Sequence, residues 1–195
     1  MSAQDDAVAD GPQTVTVAAS AEGFTGGSDT LEVSDNEVRI EVSFVSEEAG
    51  YQNSVGIYDI KTGRAEMLLT NTDTQSNPDA AAFTKTLDVS AGDFANVGYF
   101  IIPNGNRLNS WSDVDLENLL VFENSGGAYG VQDADGTILK GTGANAFFSE
   151  MAKNPGGFDH VSKQGTEIGF EDLVGGGDQD FNDVVLDVRE VALIL

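Results

Sequence analysis

The most regular pattern in the chain is a strict alternation of apolar and polar residues over positions 37–45. Val38, Ile40, Val42 and Phe44 share one face, and charged or polar residues take the other. An alternation with a period of two is typical of a half-buried β-strand. Shorter runs rich in apolar residues predict further strands at residues 13–18, 54–60, 83–89, 97–102, 119–122, 137–140, 167–170 and 183–195.

Turn sequences separate these runs and indicate the fold class. Clusters such as Asn104-Gly105-Asn106 and Asp135-Gly136 are typical of tight turns between strands. Many short strands joined by turns predict an all-β fold, an antiparallel β-sandwich or a jelly-roll-like arrangement. We expect at most two short helices, at residues 112–120 and 147–153, the first capped by Ser112.

The organisation of the chain is predicted to be simple. Residues 1–11 are polar and acidic, without the basic and apolar regions of a signal peptide, and we interpret them as a linker. No internal repeat is visible, which argues against a propeller or a β-helix. We therefore predict one domain over residues 12–195.

Composition and charge exclude several classes of function. The 195 residues include 33 acidic and 9 basic side chains, for a net charge of −24, one histidine and no cysteine. A polyanion would be repelled, so we expect no nucleic-acid partner. No apolar run approaches 18 residues, so we expect no membrane insertion. The mutual repulsion of so many acidic groups destabilises the folded state, which favours either adaptation to high salt or the binding of divalent cations. A third interpretation is that the acidic residues only make the surface soluble.

The acidic residues are densest near the C-terminal end, in Phe170-Glu171-Asp172-Leu173-Val174-Gly175-Gly176-Gly177-Asp178-Gln179-Asp180-Phe181-Asn182-Asp183. No lysine or arginine lies between Lys163 and Arg189. Carboxylates this close together need a positively charged partner to stay ionised. Oxygen ligands around a glycine turn suit Ca²⁺ better than Mg²⁺. A solvated acidic turn is the alternative. The predicted metal ligands are Glu171, Asp172, Asp178, Asp180, Asn182 and Asp183.

A second candidate for a metal loop is Gln132-Asp133-Ala134-Asp135-Gly136. Its side-chain oxygens would come from Asp133 and Asp135. An ordinary Asp-Gly hairpin turn explains the same residues equally well. The sequence therefore leaves open whether one or more calcium ions bind.

Three segments together resemble the DUF4114 family. They follow the patterns N-A-x-F-S, N-P-x-G-x-D-H and G-F-E-D-L-x-G-G-G-D-x-D-F-N-D-V-V, and the resemblance extends over residues 47–188. The family is a calcium-associated β-domain of large secreted bacterial proteins, including RTX adhesins. The resemblance implies display at the bacterial cell surface and calcium-dependent binding of a ligand. Some such domains resemble modules that capture the C-terminal carboxylate of a peptide, and others are discussed as carbohydrate-binding.

The leading hypothesis is a monomeric adhesion module within a longer chain, which binds an extracellular peptide or glycan through Ca²⁺. A calcium ion with an open position accepts oxygens from a terminal carboxylate or from vicinal hydroxyls. An exposed loop tryptophan would suit sugar stacking or peptide binding, and a buried anchor is the alternative. The predicted ligand-binding residues are Asp178, Asp180, Gly176, Gly177, Asn104, Trp111 and His160.

Two other hypotheses remain. If every ion is fully enclosed, the domain is a calcium-rigidified spacer. If Glu171 forms a carboxylate pair with Asp178 or Asp183, the domain resembles a glycoside hydrolase, with His160 as a further candidate base. We expect no enzyme, because these acids have the pattern of metal ligands and no nucleophile motif accompanies the histidine.

Overall fold

The computed structural model describes residues 12–33, 37–90 and 96–191 of the chain. The predicted linker at 1–11 and the last residues of the predicted C-terminal strand lie outside the described residues. The strands in the described part all pair in antiparallel fashion. They are β1 (Gln13–Ala19), β2 (Gly27–Val33), β3 (Glu37–Ser46), β4 (Ser54–Asp59), β5 (Arg64–Leu69), β6 (Thr84–Ser90), β7 (Val97–Ile102), β8 (Leu119–Glu123), β9 (Tyr129–Gln132), β10 (Phe147–Phe148), β11 (Val161–Gln164), β12 (Glu167–Phe170) and β13 (Val184–Val191).

Two sheets pack face to face and enclose the first hydrophobic core. One sheet has the order β11-β12-β13-β3-β6, and the other has the order β10-β7-β4-β5-β8-β9. Ile40, Ile168 and Leu186 of the five-stranded sheet pack in the same cluster as Val55 and Ile101 of the six-stranded sheet. The predicted all-β sandwich is therefore confirmed.

The six-stranded sheet also covers a second core on its other face. In β7, Tyr99 and Ile101 belong to the first core, whereas Phe100 and Ile102 belong to the second. This two-sided burial explains why β7 is a continuous apolar run instead of an alternating one. Burying each such side chain stabilises the fold by about 1.5–3 kcal/mol.

The hairpin of β1 and β2 forms a separate two-stranded sheet. Val15 pairs with Leu31, and both side chains are exposed. The predicted strand at 13–18 is confirmed, although β2 was not predicted from its polar sequence.

Five strands were missed by the sequence prediction, and one predicted strand was wrong. Besides β2, the sequence did not predict β5, β9, β10 or β11. The run at 137–140 makes only an isolated bridge, in which Ile138 pairs with Gln132. Asp133 closes a tight turn here, so the following residues diverge from β9 after Leu139.

The helix predictions were also wrong in position. Over 112–120, a 3-10 turn at Trp111–Asp113 is followed by irregular backbone until β8 begins, and Ser112 provides no cap. Phe147 and Phe148 form β10 because each fills a different core. The short α-helix is α1 (Gly105–Leu108), after the turn at Asn104. No helix in the described part of the chain is long and apolar enough to cross a membrane.

Candidate metal centre

The acidic segment forms the loop that joins β12 to β13, at one end of the five-stranded sheet. Glu171 directly follows β12, and Asp183 directly precedes β13. Gly175, Gly176 and Gly177 all have positive φ, between 50° and 86°. This left-handed backbone is accessible to glycine without steric cost and folds the loop back on itself. The strands therefore hold both ends of the loop in place.

Three carboxylates converge in this loop. Glu171, Asp178 and Asp180 each offer an oxygen, and these oxygens lie within 4.8 Å of one another. Glu171 is buried, with 1% of its surface exposed, whereas Asp178 and Asp180 are exposed. The trio thus has an inner, anchored member and two outer members that face solvent.

The backbone around Glu171 holds its side chain in place. The Phe181 N–H donates to Glu171 Oε1 at 2.9 Å, and Phe181 adopts a φ of +55° to do so. A non-glycine residue in this region costs about 1 kcal/mol or more, and such strain concentrates at functional sites. A Cβ atom at Gly177 would overlap Oε2 of Glu171. Glycine is therefore required at position 177 for the carboxylate to lie where it does.

The electrostatics of the loop disfavour ionisation without a cation. Burial raises the pKa of Glu171, and the nearby charges of Asp183, Asp178 and Asp180 raise it further, although the Phe181 N–H opposes the shift. Like charges this close cannot all stay ionised unless a positive charge joins them. A bound cation would remove the penalty.

Asp172 and Asp183 form a second layer behind the trio. The Asp172 N–H donates to Asp183 Oδ2 at 2.8 Å, and Asn53 Nδ2 donates to Asp172 Oδ2 at 2.7 Å. Burial raises the pKa of Asp172 to about 6, against the lowering effect of the Asn53 hydrogen bond. Burial is also the main cause of the raised pKa of Asp183. Sequence reasoning missed Asn53 as a site residue, although it lies in a segment that resembles the family.

The structure turns Asn182 toward a different partner. Its Nδ2 donates to Glu48 Oε2 at 3.3 Å, and the Glu48 N–H donates to the Asn182 carbonyl at 3.2 Å. The predicted ligand Asn182 thus ties the loop to the chain that follows β3. Glu48 is the second residue of this region that sequence reasoning did not single out.

Asp133 and Asp135 lie outside the carboxylate trio. Oδ1 of Asp133 accepts the N–H groups of Asp135 and Thr137, at 3.0 and 2.8 Å. Among the described residues, the only cluster of three or more possible metal ligands is Glu171, Asp178 and Asp180. The structure therefore supports the Asp-Gly turn that the sequence had left as an alternative.

His160 is buried beneath the loop, with no exposed surface. Its ring stacks on Phe147 with centroids 3.7 Å apart, and Nδ1 donates to the Glu171 carbonyl at 3.0 Å. The Glu171 N–H donates back to the His160 carbonyl at 3.0 Å. Burial lowers the pKa of His160, although the bond to the Glu171 backbone and the charge of Asp159 oppose the shift. The predicted ligand-binding residue His160 thus contacts the acidic loop through the backbone of Glu171.

Asn104 and Trp111, two further predicted ligand-binding residues, lie outside the acidic loop. Asn104 lies near the second layer, since its N–H donates to Asn53 Oδ1 at 2.9 Å. Trp111 packs against the second core, and its Nε1 is buried without a partner among the described residues. Trp111 is partly buried, which supports the anchor that the sequence had left as an alternative. Of the predicted ligand-binding residues, Asp178, Asp180, Gly176 and Gly177 lie together in the loop.

The donor set fits a hard divalent cation. All side-chain donors of the trio are carboxylate oxygens, which are the ligands that Ca²⁺ and Mg²⁺ prefer, and no thiolate or imidazole takes part. The remaining coordination positions would be filled by water, backbone carbonyls or oxygens of a ligand. The cluster could hold a metal ion of this class.

Comparison with known proteins gives one match. A family model described as "Domain of unknown function (DUF4114)" matches residues 48–190, which include Asn53 and the whole acidic loop. No curated protein and no solved structure matches the chain. Because the matched region is well over half of the sequence, the chain belongs to the DUF4114 family.

Proposed function

We propose that this domain is a calcium-dependent ligand-binding module of a secreted or cell-surface bacterial adhesin of the RTX type. In this proposal Glu171, Asp178 and Asp180 hold one Ca²⁺ ion, and the ion captures a peptide on another cell, with its C-terminal carboxylate as the preferred group. The observation that carries the proposal is the division of the trio into one buried and two exposed carboxylates. An ion held there would be anchored on one side and open to a ligand on the other.

Calcium is favoured over magnesium by the nature of the loop. Mg²⁺ requires near-ideal octahedral geometry and keeps several waters, whereas Ca²⁺ accepts six to eight oxygens in irregular arrangements. A loop with three consecutive glycines at positive φ adapts to an irregular cage. In this proposal the ion supplies the charge that the trio lacks and a position for an incoming oxygen.

A peptide is favoured over a glycan by the position of Trp111. The carbohydrate-binding alternative relied on an exposed tryptophan in a polar loop, but the Trp111 ring packs against the second core. The spacer alternative is disfavoured by the exposure of Asp178 and Asp180, since a fully enclosed ion would bury its ligands. We keep both alternatives as outcomes of the experiment below.

The experiment is a binding screen with immobilised peptides that end in either a free carboxylate or an amide, and with immobilised glycans. Each is tested in calcium and in a chelator. We expect capture of carboxylate peptides in calcium only. Asp178→Ala and Asp180→Ala should abolish this capture, and Asp113→Ala, an exposed acid in the turn at Trp111–Asp113, should not.

Three results would change the proposal. Equal capture of amidated and carboxylate peptides would remove the terminal carboxylate from the mechanism. Capture of glycans alone would select the carbohydrate alternative. Normal calcium binding without capture of any probe would leave the spacer function.

A further inference from the structure

The six-stranded sheet ends in two edge strands, β10 and β9. Their ends approach each other, because a Cβ atom at Gly130 in β9 would lie 3.5 Å from the Cβ of Asn145, which precedes β10. An edge strand presents N–H and C=O groups that can pair with another chain. Whether each edge is blocked decides what this region can bind.

A buried side chain blocks the outer edge of β10. The Phe148 N–H donates to Asn154 Oδ1 at 2.7 Å, and Asn154 Nδ2 donates to the Phe148 carbonyl at 2.8 Å. The amide of Asn154 thus takes the place of a neighbouring strand. No further strand can pair at Phe148.

The outer edge of β9 is open at Tyr129. The Asn124 N–H donates to the Ala128 carbonyl at 2.9 Å, so Asn124 and Ala128 form a hydrogen-bonded pair. Bonded and non-bonded pairs alternate along an antiparallel ladder, so Tyr129, opposite Glu123, belongs to a non-bonded pair. The backbone N–H and C=O of Tyr129 therefore point away from β8.

The hydrogen bond of Val131, two residues beyond Tyr129, confirms this orientation. The Val131 carbonyl accepts the Leu139 N–H at 2.8 Å on the outer side of β9, and the backbone groups of residues two apart in a strand point to the same side. In the described part of the chain, β8 is the only strand paired with β9, and none of the turn and loop backbone hydrogen bonds there reaches the outward groups of Tyr129.

A cleft of about 480 Å³ lies beside Tyr129. Its volume is within the range of about 300–1,000 Å³ that is usual for ligand sites. The walls consist mainly of glycine and alanine, so backbone groups are accessible in them. The cleft is lined by residues 126–129, 143–145 and 152–156.

The cleft adjoins the acidic loop. A Cβ atom at Gly143 would lie 2.7 Å from Val174 Cγ2, and one at Gly156 would lie 2.8 Å from the Phe158 ring. Val174 and Phe158 are 56% and 45% exposed, and Val174 immediately precedes the glycines of the metal loop. Two exposed apolar side chains therefore border the cleft, and one of them, Val174, belongs to the acidic loop.

We propose that the cleft is a strand-addition site for an extended peptide. The peptide backbone pairs with the N–H and C=O of Tyr129, an apolar side chain packs on Val174 and Phe158, and the terminal carboxylate reaches the ion. This inference rests on the proposed function for the last contact only. A glycan lacks the alternating N–H and C=O groups that match a strand edge, so the observations favour a peptide.

The test uses a library of random octapeptides with free carboxyl termini, selected on the domain in calcium. Ala152→Trp fills the cleft from an exposed position, and Ala81→Trp is the control on an exposed 3-10 turn at Pro78–Ala82. We expect selected peptides to bind Ala152→Trp at least 10-fold more weakly and Ala81→Trp normally. Both variants should bind calcium like the wild type.

A second measurement locates the contact directly. In a ¹⁵N-labelled domain saturated with a selected peptide, the Tyr129 amide should exchange with solvent at least 10-fold more slowly than in the peptide-free, calcium-loaded domain. Unchanged exchange at Tyr129, together with normal binding by Ala152→Trp, would overturn strand addition while leaving calcium-dependent capture intact.

The remaining outcomes separate the two proposals. Peptides that bind in the cleft equally well without calcium would support strand addition and contradict the proposed role of the ion. A library that yields no binder in calcium, or glycans that bind in the cleft instead, would overturn strand addition.

Discussion

The residues of the candidate metal centre are held by contacts that are close in the sequence and by others that are far away. Glu171, Asp178 and Asp180 are near neighbours along the chain, so their grouping could be predicted from spacing and the absence of a local base. The support from Asn53 could not be predicted, because that residue is 119 positions away from Asp172. The hydrogen bond from the Phe181 N–H to Glu171 could not be predicted either, because it depends on the positive φ of Phe181 and not on its side chain.

At the residue scale, Gly177→Ala tests the close approach to Glu171. The new Cβ would displace Oε2, so we expect calcium affinity to fall at least 10-fold, about 1.4 kcal/mol, by calorimetric titration. Gly175→Ala is the matched control, since its φ is also positive but nothing lies within 4 Å of a Cβ there. It should lower stability by about 1 kcal/mol and leave calcium affinity unchanged. Equal losses of affinity in both variants would show that backbone strain alone matters.

At the scale of elements, the alternation of β3 and the apolar run of β7 were sufficient to predict strands. The missed strands each lack such a signal. Arg64-Ala65-Glu66-Met67-Leu68-Leu69 in β5 is made of helix-favouring residues, and only its burial between two cores makes it a strand. β9 and β11 have four residues each, too few to establish a period.

Asn154 is the residue by which the fold closes the edge of β10, and its removal has a defined expected effect. Asn154→Ala removes bonds to Phe148 N–H, to the Phe148 carbonyl and to the Phe158 carbonyl. Because these backbone groups are left without partners in a buried place, we expect a loss of about 2–4 kcal/mol in chemical denaturation. Asn118→Ala, at an exposed side chain that bonds Asp115, should cost less than about 1 kcal/mol. Similar costs for both variants would contradict the capping role.

At the scale of the whole molecule, the net charge of −24 is the property that the sequence showed first. The structure pairs part of it locally: Arg39 with Asp88, Lys85 with Glu66, Lys153 with Glu150 and Arg189 with Asp187. In the acidic loop, burial and neighbouring carboxylates raise the pKa values of Glu171, Asp172 and Asp183. The causes of these shifts include no basic side chain, in contrast to the ion pairs above. Calcium would remove two units of charge for each ion bound.

The first prediction at this scale is a loss of thermal stability on chelation. A ligand present at 100 times its Kd stabilises the native state by about 2.7 kcal/mol. For a chain of this size, each kcal/mol corresponds to a Tm shift of about 2–4 °C, so EDTA should lower the Tm by roughly 5–10 °C. The same Tm with excess calcium and with EDTA would contradict a bound ion.

The second prediction concerns pH in the chelated protein. The pKa of Asp172 is raised to about 6 by burial, so the native state binds this proton more tightly than the unfolded state does. Its contribution to stability is complete below the unfolded pKa, near 3.8, and is lost as the pH rises through about 6. The stability of the wild type minus that of Asp172→Asn should therefore fall between pH 4 and pH 7, by denaturation in EDTA. A difference that grows with pH over this interval would reverse the sign and contradict the raised pKa of Asp172.

The central claim is that Glu171, Asp178 and Asp180 bind calcium, and calorimetric titration of Ca²⁺ into the metal-free domain tests it most directly. We expect saturable binding by the wild type. In the double variant Asp178→Asn/Asp180→Asn both outer ligands lose their charge. Its calcium affinity should therefore be at least about 100-fold weaker, a loss of about 2.8 kcal/mol or more in binding free energy. Absence of calcium binding by the wild type, or equal affinity in the double variant, would contradict the account.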